Sequence, residues 1–192
     1  MKKLIILDRD GVINFDSSDY IKSEAEWHPI PGSLEAIALL NQHGFKVVIA
    51  SNQSGIARGL FDLITLQQIH QKMQTAILEA GGKIDKIYFC PHAPEDHCLC
   101  RKPKPGLYHQ IEKAYDLDFK TSPTPSIGDS LRDLEAAEAA GCRPMLVLTG
   151  NGKKTAERLA SARASDTGLK NSHQIPIYTN LYSVVIDLIG NT

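Results

Sequence analysis

Two aspartates close the first apolar run of this chain, Leu4-Ile5-Ile6-Leu7-Asp8-Arg9-Asp10-Gly11. On a strand, residues i and i+2 point the same way. Asp8 and Asp10 therefore project together where the strand opens into a loop, and Gly11 lets the backbone turn aside. Paired carboxylates repel, and a divalent cation or a shared proton relieves the repulsion. A carboxylate nucleophile with an acid/base neighbour, both beside Mg²⁺, has what phosphoryl transfer through an aspartyl-phosphate requires. Taken alone, Asp-x-Asp-Gly is equally an acidic turn, since turns are rich in Asp and Gly.

Three further features come after later apolar runs. Ser51-Asn52-Gln53-Ser54-Gly55 offers a hydroxyl and backbone N–H groups that can cradle a phosphate, although such a loop by itself is commonly just a turn. Arg101-Lys102-Pro103-Lys104-Pro105-Gly106 places adjacent cations, stiffened by two prolines, before a helix start, which suits an anion. In Gly128-Asp129-Ser130-Leu131-Arg132-Asp133, Asp129 ends a strand and Asp133 comes one helical turn later, so both can face one site. Asp129 also reads as an ordinary helix N-cap. Three aspartates at two strand ends beside a cationic loop suit an octahedral Mg²⁺ site next to a phosphate pocket.

Cys90-Pro91-His92 and Cys98-Leu99-Cys100 form a separate constellation. Three thiolates and one imidazole make a closed tetrahedral set for Zn²⁺, structural rather than catalytic because no position is left for water. His92 is preferred to His97, whose side chain should point away from that of adjacent Cys98. Cys142 reads as a small core residue. His28, His43, His70, His109 and His173 join no constellation and read as surface or loop residues.

The elements that must position these groups alternate. Strands are expected at Leu4–Leu7, Lys46–Ala50, Lys86–Phe89, Ser126–Ile127, Met145–Leu148 and Ile175–Tyr178, rich in Ile and Val without strict alternation, as in strands covered on both faces. Helices are expected at Leu34–Gln42, Thr65–Ala80, Gly106–Tyr115 and Leu131–Ala140, with Asn180 capping a last one through Ile189. The polar stretch from Ser161 to Gln174 reads as a surface loop. Together these predict an α/β chain with a doubly wound, mainly parallel sheet in a single domain spanning residues 1–192, ligands binding beyond the carboxyl ends of the strands.

The 192 residues, with 42% hydrophobic and 22% charged content, are ordinary for a globular protein. A net charge of −1 gives no reason to expect nucleic acid or an anionic membrane as partner. Met1-Lys2-Lys3 before Leu4–Leu7 is too short an apolar run for a signal peptide, and nothing approaches the ~20 apolar residues of a membrane span. A cytoplasmic monomer with reduced thiols is expected.

With these residues assembled, the chain resembles the haloacid dehalogenase superfamily of phosphatases. Its four motifs would be Asp8-x-Asp10-Gly11, Ser51, Lys102, and Gly128-Asp129 with Asp133. The resemblance covers about Leu4 to Gly152. It is sharpened by Asp8-Arg9-Asp10-Gly11-Val12-Ile13-Asn14, Ser51-Asn52-Gln53-Ser54-Gly55-Ile56-Ala57-Arg58-Gly59, Cys90-x-His92 and Cys98-x-Cys100-Arg101-Lys102-Pro103. These are similar to a capless branch with a zinc loop that frees the C7 phosphate of a heptose 1,7-bisphosphate for activated-heptose (lipopolysaccharide core) synthesis.

The resemblance implies that Asp8 attacks phosphorus while Asp10 protonates the leaving alcohol and then activates water. Mg²⁺ would be held by the carboxylates of Asp8 and Asp129 and the backbone carbonyl of Asp10, with Ser51 and Lys102 stabilising the transferring phosphoryl. Asp16, Tyr20, Asn52, Gln53, Ser54, Arg58 and Arg101 would meet the sugar phosphate, Arg101 and Arg58 holding its second anion. Ser51 stands for the commoner threonine, and Ser130 where a lysine often follows the metal-binding aspartate. About forty residues between Asp10 and Ser51 leave no room for a cap domain, which argues against a phosphomutase. Histidinol phosphate is the rival substrate, with Asp16 and Asp19 facing its cationic end. A phosphate-sensing module without turnover is disfavoured because every catalytic position is filled.

Overall fold

The computed structural model describes residues 3–161, 168–170 and 174–190. The expected loop from Ser161 to Gln174 lies mostly outside these, as does His173. The chain forms β1 (Leu4–Leu7), α1 (Ser33–Gln42), β2 (Lys46–Asn52), α2 (Leu63–Glu79), β3 (Lys86–Cys90) and α3 (Gly106–Tyr115), then β4 (Pro125–Gly128), α4 (Leu131–Ala140), β5 (Arg143–Val147), α5 (Gly152–Ser161), β6 (Ile177–Tyr178) and α6 (Leu181–Gly190). The sheet order is β3-β2-β1-β4-β5-β6, with every neighbouring pair parallel. The winding reverses at β1, so the crevice for a ligand opens beyond the ends of β1, β2 and β4.

Alternation along the central strands sends side chains to two cores. Ile5 and Leu7 pack with Ile37, Leu40, Ile69, Met73, Ile77, Val184 and Val185 on the face covered by α1, α2 and α6. Leu4 and Ile6 pack with Leu107, Ile111, Ala136 and Ala140 of α3 and α4, together with Cys142. Burial on both faces explains the unbroken apolar runs.

Helix ends obey local chemistry. The carboxylate of Asp62 accepts the Thr65 N–H at 2.7 Å and starts α2, and Asn180 Oδ1 accepts the Ser183 N–H at 3.0 Å ahead of α6. At α4 the cap is Ser130, with Asp133 Oδ2 accepting its N–H at 3.0 Å. Asp129 is thereby released from capping and turns into the crevice.

Two readings are corrected. Gly152–Ser161 is a helix that the sequence did not suggest, because it buries little beyond Thr155 and Leu159 and leaves its other faces polar. His70 is buried on α2, edge-on to Phe89 with ring centroids 5.9 Å apart; it falls on the same helical face as Leu66, Ile69 and Met73. Between Gly11 and β2 there is only a 3₁₀ turn, Glu24–Glu26, and α1, with no cap among the described residues. No helix among them is long and apolar enough to cross a membrane.

Candidate active site

Asp8 leaves β1 while still tied to the sheet, its N–H donating to the Ile127 carbonyl of β4 at 2.9 Å. The Arg9 carbonyl then accepts the N–H groups of Ile13 and Asn14 at 2.8 and 3.2 Å, folding the chain into a tight turn. Gly11 has φ +80°, and a Cβ there would collide with Asp129 Oδ2. Only glycine lets the two strand ends come this close. Asp8, Asp129 and Asp133 thus bring carboxylate oxygens within 4.8 Å of one another.

Lys102 reaches this cluster from the loop before α3. Its buried Nζ lies 3.0 Å from Asp8 Oδ1 and 2.5 Å from Asp133 Oδ1, and donates to the Ala50 carbonyl at 2.8 Å. Asn52 clamps the Lys102 backbone, its Nδ2 donating to the Lys102 carbonyl and its Oδ1 accepting the Lys102 N–H, both at 3.1 Å. Ser51 is buried at the end of β2 and accepts a bond from Gln53 Nε2 at 2.8 Å.

Asp10 is held differently. Arg9 Nε and Nη2 donate to its two oxygens at 3.0 and 2.9 Å, Asn14 Nδ2 at 2.8 Å and Gln53 Nε2 at 3.0 Å. Asp10's carboxylate therefore stays outside the three-carboxylate cluster, and Asp133 takes that place. The Asp10 carboxylate is committed to Arg9, Asn14 and Gln53.

Charge follows geometry. Burial pushes the Asp8 carboxyl up to about 7, Lys102 pulling it down and Asp133 and Asp10 pushing it further up. Burial and repulsion from Asp133 and Asp8 lift Asp129 to about 8. For Asp10 the cost of burial is outweighed by the Arg9 guanidinium and its bonds, which hold it below the usual carboxylate range. Asp133 is likewise held low, against burial, by Lys102, and Lys102 is pushed up, against burial, by Asp133 and Asp8. Two of the three carboxylates, Asp8 and Asp133, thus share one lysine, and Asp129 has no cation beside it. A divalent cation fits this donor set, since it would remove the repulsion that lifts Asp8 and Asp129.

A cavity of about 380 Å³ opens over these groups. Every expected site residue outside the thiol loop lines it: Asp8, Asp10, Asp129, Ser51 and Lys102, with Asn52, Gln53, Ser54, Asp16, Tyr20, Arg58 and Arg101 around them. Asp19 does not. The polar atoms of Asn52 and Gln53 are largely occupied in holding Lys102, Asp10 and Ser51.

Four residues that the sequence did not single out complete the site. Arg9 and Asn14 orient Asp10; a charged residue at the end of an apolar strand was the available signal for Arg9. Asn151 donates its N–H to Asp129 Oδ2 at 2.7 Å and its Nδ2 to Asp16 Oδ2 at 2.8 Å. Arg132, on the first turn of α4, is exposed at the cavity wall.

Beside the cavity, Cys90, His92, Cys98 and Cys100 converge. Cys100 Sγ is 3.2 Å from Cys90 Sγ, 3.5 Å from Cys98 Sγ and 3.3 Å from His92 Nδ1. A zinc tetrahedron with arms of about 2.3 Å has edges only slightly longer than these, so the set fits Zn²⁺, and His97 stands outside it. The loop is tied to the cationic segment beside it. Arg101 Nη1 donates to the His92 carbonyl at 3.1 Å, and Lys104 Nζ to the His97 and Cys98 carbonyls at 2.9 Å.

A parallel sheet whose central strand delivers a carboxylate beside a buried lysine, under an open cavity, defines a phosphoric monoester hydrolase of the haloacid dehalogenase type. The HAD-hydrolase-like family model matches residues 99–170. The D-glycero-beta-D-manno-heptose-1,7-bisphosphate 7-phosphatase of Bordetella bronchiseptica is 58% identical over 153 residues, 80% of this chain and 84% of that protein. The Neisseria meningitidis serogroup A enzyme of the same name is 45% identical over 185 residues, 96% of this chain and 91% of that one. A crystal structure of D,D-heptose 1,7-bisphosphate phosphatase from B. bronchiseptica, complexed with magnesium and phosphate, superposes with a TM-score of 0.89 at 49% identity, covering 99% of each chain. The chain belongs to this heptose bisphosphate phosphatase family of the haloacid dehalogenase-like hydrolases.

Proposed function

We propose that the enzyme removes the C7 phosphate of D-glycero-β-D-manno-heptose 1,7-bisphosphate and leaves the C1 phosphate, a step in supplying activated heptose for lipopolysaccharide core. The reading is carried by one observation: a cavity with Asp8, Ser51 and Lys102 at its base and arginines at its rim, in a chain whose relatives bear that enzyme's name.

Asp8 attacks phosphorus as the bond to the C7 oxygen breaks, and Asp10 gives that oxygen a proton. Asp10, ionised at rest, takes that proton up from solvent as a phosphate dianion beside it raises its proton affinity. After the alcohol leaves, the Asp10 carboxylate takes a proton from water, which attacks the phosphoryl-Asp8 and frees phosphate. Ser51 and Lys102 meet the charge spreading over the phosphoryl oxygens. Asp8 and Asp129, with the Asp10 carbonyl, are the residues that would hold Mg²⁺; when bound, the ion offsets the repulsion between Asp8 and the incoming dianion. Asp16, Tyr20, Ser54, Arg58 and Arg101 bind the sugar and its charge, while Asn52 and Gln53, expected to join them, hold Lys102, Asp10 and Ser51 in place instead. Zinc on Cys90, His92, Cys98 and Cys100 fixes the loop that delivers Arg101 and Lys102.

Histidinol phosphate would place a cation at a rim whose charges are mainly Arg58, Arg101 and Arg132, with Asp16 already bound to Asn151. Comparison of kcat/KM on the two substrates with Mg²⁺ tests the proposal. A clear preference for the heptose bisphosphate is expected, and a preference for histidinol phosphate overturns it.

A further inference from the structure

One wall of the cavity, residues 16–20, is held by little of its own. It follows Phe15, whose N–H donates to the His28 carbonyl at 3.0 Å. Its internal bonds are short-range: the Ser17 N–H to Asp16 Oδ1 at 2.8 Å, the Asp19 N–H to Ser17 Oγ at 3.1 Å and the Tyr20 N–H to the Ser17 carbonyl at 3.2 Å. Tyr20 has φ +67°, a backbone conformation that a bulky residue keeps only where its surroundings enforce it. Among the described residues, one hydrogen bond joins this segment to the rest of the molecule, from Asn151 Nδ2 to Asp16 Oδ2 at 2.8 Å. It spans the crevice, between residues 135 positions apart in the chain.

Asn151 is itself firmly placed, at the start of α5 in the turn after β5. Thr149 Oγ1 in that turn donates to the Gly11 carbonyl at 2.6 Å. Gly150 has φ +56°, and a Cβ there would collide with Gly11 Cα and Asp129 Oδ2. An asparagine just ahead of a helix commonly caps it with its side-chain oxygen. Here the Asn151 backbone carbonyl accepts the Thr155 N–H at 3.0 Å, and the side-chain NH₂ turns instead to two carboxylates, Asp16 and, at 3.3 Å, Asp129. An acceptor could not stand there, between two anions. The Asn151 N–H separately holds Asp129 at 2.7 Å. Backbone and side chain thus have different duties, the first toward the metal-binding carboxylate and the second toward the loop.

Resting on the heptose bisphosphate reading, we propose that Asn151 is a positioning residue for the sugar, its side-chain amide fixing Asp16 across the crevice to receive heptose hydroxyls. Each Asp16 oxygen accepts one bond, from Ser17 or from Asn151, and keeps a lone pair for a hydroxyl donor. A carboxylate held from both sides meets the sugar without first being ordered, and the saved ordering cost appears as affinity. The phosphoryl group on Asp8 and Lys102 makes no use of this bond. Asn151 therefore separates a polyol phosphate from a phosphate ester that has no hydroxyls.

The test compares heptose 1,7-bisphosphate with p-nitrophenyl phosphate in wild type, Asn151→Ala, Asp16→Ala, the double variant, and Lys153→Ala as a control on the exposed side of α5. Mg²⁺ binding is measured in each by calorimetry. Asn151→Ala should lower the heptose-to-nitrophenyl ratio of kcat/KM about tenfold, the scale of a lost hydrogen bond to a charged group, chiefly through a higher KM for the heptose. The double variant should lose no more than Asp16→Ala, because both changes act through one carboxylate. Mg²⁺ affinity should stay close to the wild-type value, since the Asn151 N–H survives the substitution. Lys153→Ala should keep the wild-type ratio. An unchanged ratio in Asn151→Ala, equal losses on both substrates, a matching loss of Mg²⁺ affinity, or additive losses in the double variant would overturn the positioning role while the substrate reading stands. A wild type that prefers histidinol phosphate would instead overturn the substrate reading, and the role with it.

Discussion

The two metal-type sites of this molecule are built in opposite ways. The thiol–imidazole set comes from eleven consecutive residues, Cys90 to Cys100, at the end of β3 and in the loop beyond it. Cys90 is held by its ladder with β2, whereas His92, Cys98 and Cys100 lie in the loop beyond it, steadied by one another and by the bonds from Arg101 and Lys104. The carboxylate set draws Asp8, Asp129 and Asp133 from residues 8 to 133 and brings them together through the β1–β4 ladder. The sheet fixes its geometry without any ion, yet its charge is unbalanced, with Asp8 near 7 and Asp129 near 8. A scaffolded site lacks charge, whereas a local site lacks scaffold. Removing the ion should therefore cost the first its chemistry and the second its shape.

Substitutions at the scaffolded site should give the largest effects on activity. Asp8→Asn should abolish turnover with the melting temperature little lowered, since an amide cannot serve as the nucleophile. Asp10→Asn should cost about 10²–10⁴-fold in kcat, the usual worth of general acid–base catalysis. Steady-state kinetics and a thermal melt on the same samples check both, and a collapse of the fold in either variant would break the contrast.

At the local site the order reverses. Elemental analysis of freshly purified protein should find one zinc that survives dialysis, while Mg²⁺ is lost. Cys98→Ala should open the loop to protease and reduce kcat/KM about a hundredfold, as displacing Arg101 and Lys102 by roughly 1 Å would. Protein without zinc and with full activity would remove the structural role.

Proton competition sharpens the comparison further. Between about pH 4 and the raised values of Asp8 and Asp129, the metal-free folded protein holds protons that the unfolded chain has released. Its melting temperature should thus fall as pH rises through 7 and 8. Added Mg²⁺ should restore more stability at pH 8.5 than at pH 6, because the ion requires both carboxylates deprotonated. An Mg²⁺ effect that does not grow with pH would contradict the charge imbalance.

The smallest effect belongs to His70. Burial and the nearby Arg9 push its imidazole down to about 4, below the ordinary ~6.5 of the unfolded chain. Stability that His70 contributes above 6.5 is therefore lost as pH falls toward 4. His70→Phe should remove that portion of the acid sensitivity and change stability at pH 7.5 by no more than about 1.5 kcal/mol, as near-isosteric core swaps do. Denaturant titrations at pH 7.5 and at pH 5 measure it.

The same contrast governs what was legible in the sequence. The four zinc-type ligands could be read from spacing alone, including the choice of His92, because neighbours in sequence are neighbours in space. Asp8, Ser51 and Asp129 could be read because each stands at the end of an apolar strand, and parallel strands align their ends; Lys102, from the loop before α3, was legible instead as part of a proline-stiffened cationic run. Gly106–Tyr115 and Leu131–Ala140 match the expected helices to the residue. What escaped was set by tertiary contact. Asn151 reaches Asp129 only because a turn at the end of β5 brings it back across the crevice, and α5 carries too few apolar residues to announce itself. Arg9 hid between the two aspartates, its burial and its partners Asp10 and Gln53 being invisible until the loop after β2 was in place. His70 looked polar and free, although its helical position already placed it on the apolar face.

The central claim is that Asp8, in the scaffolded site, carries the phosphoryl group. Acid-quenching Asp10→Asn during turnover of the heptose bisphosphate, then mapping peptides by mass spectrometry, tests it most directly. The account predicts a phosphoryl group on the peptide containing Asp8, labile to hydroxylamine and absent from Asp8→Asn. An unmodified Asp8 peptide, together with turnover retained by Asp8→Asn, would contradict it.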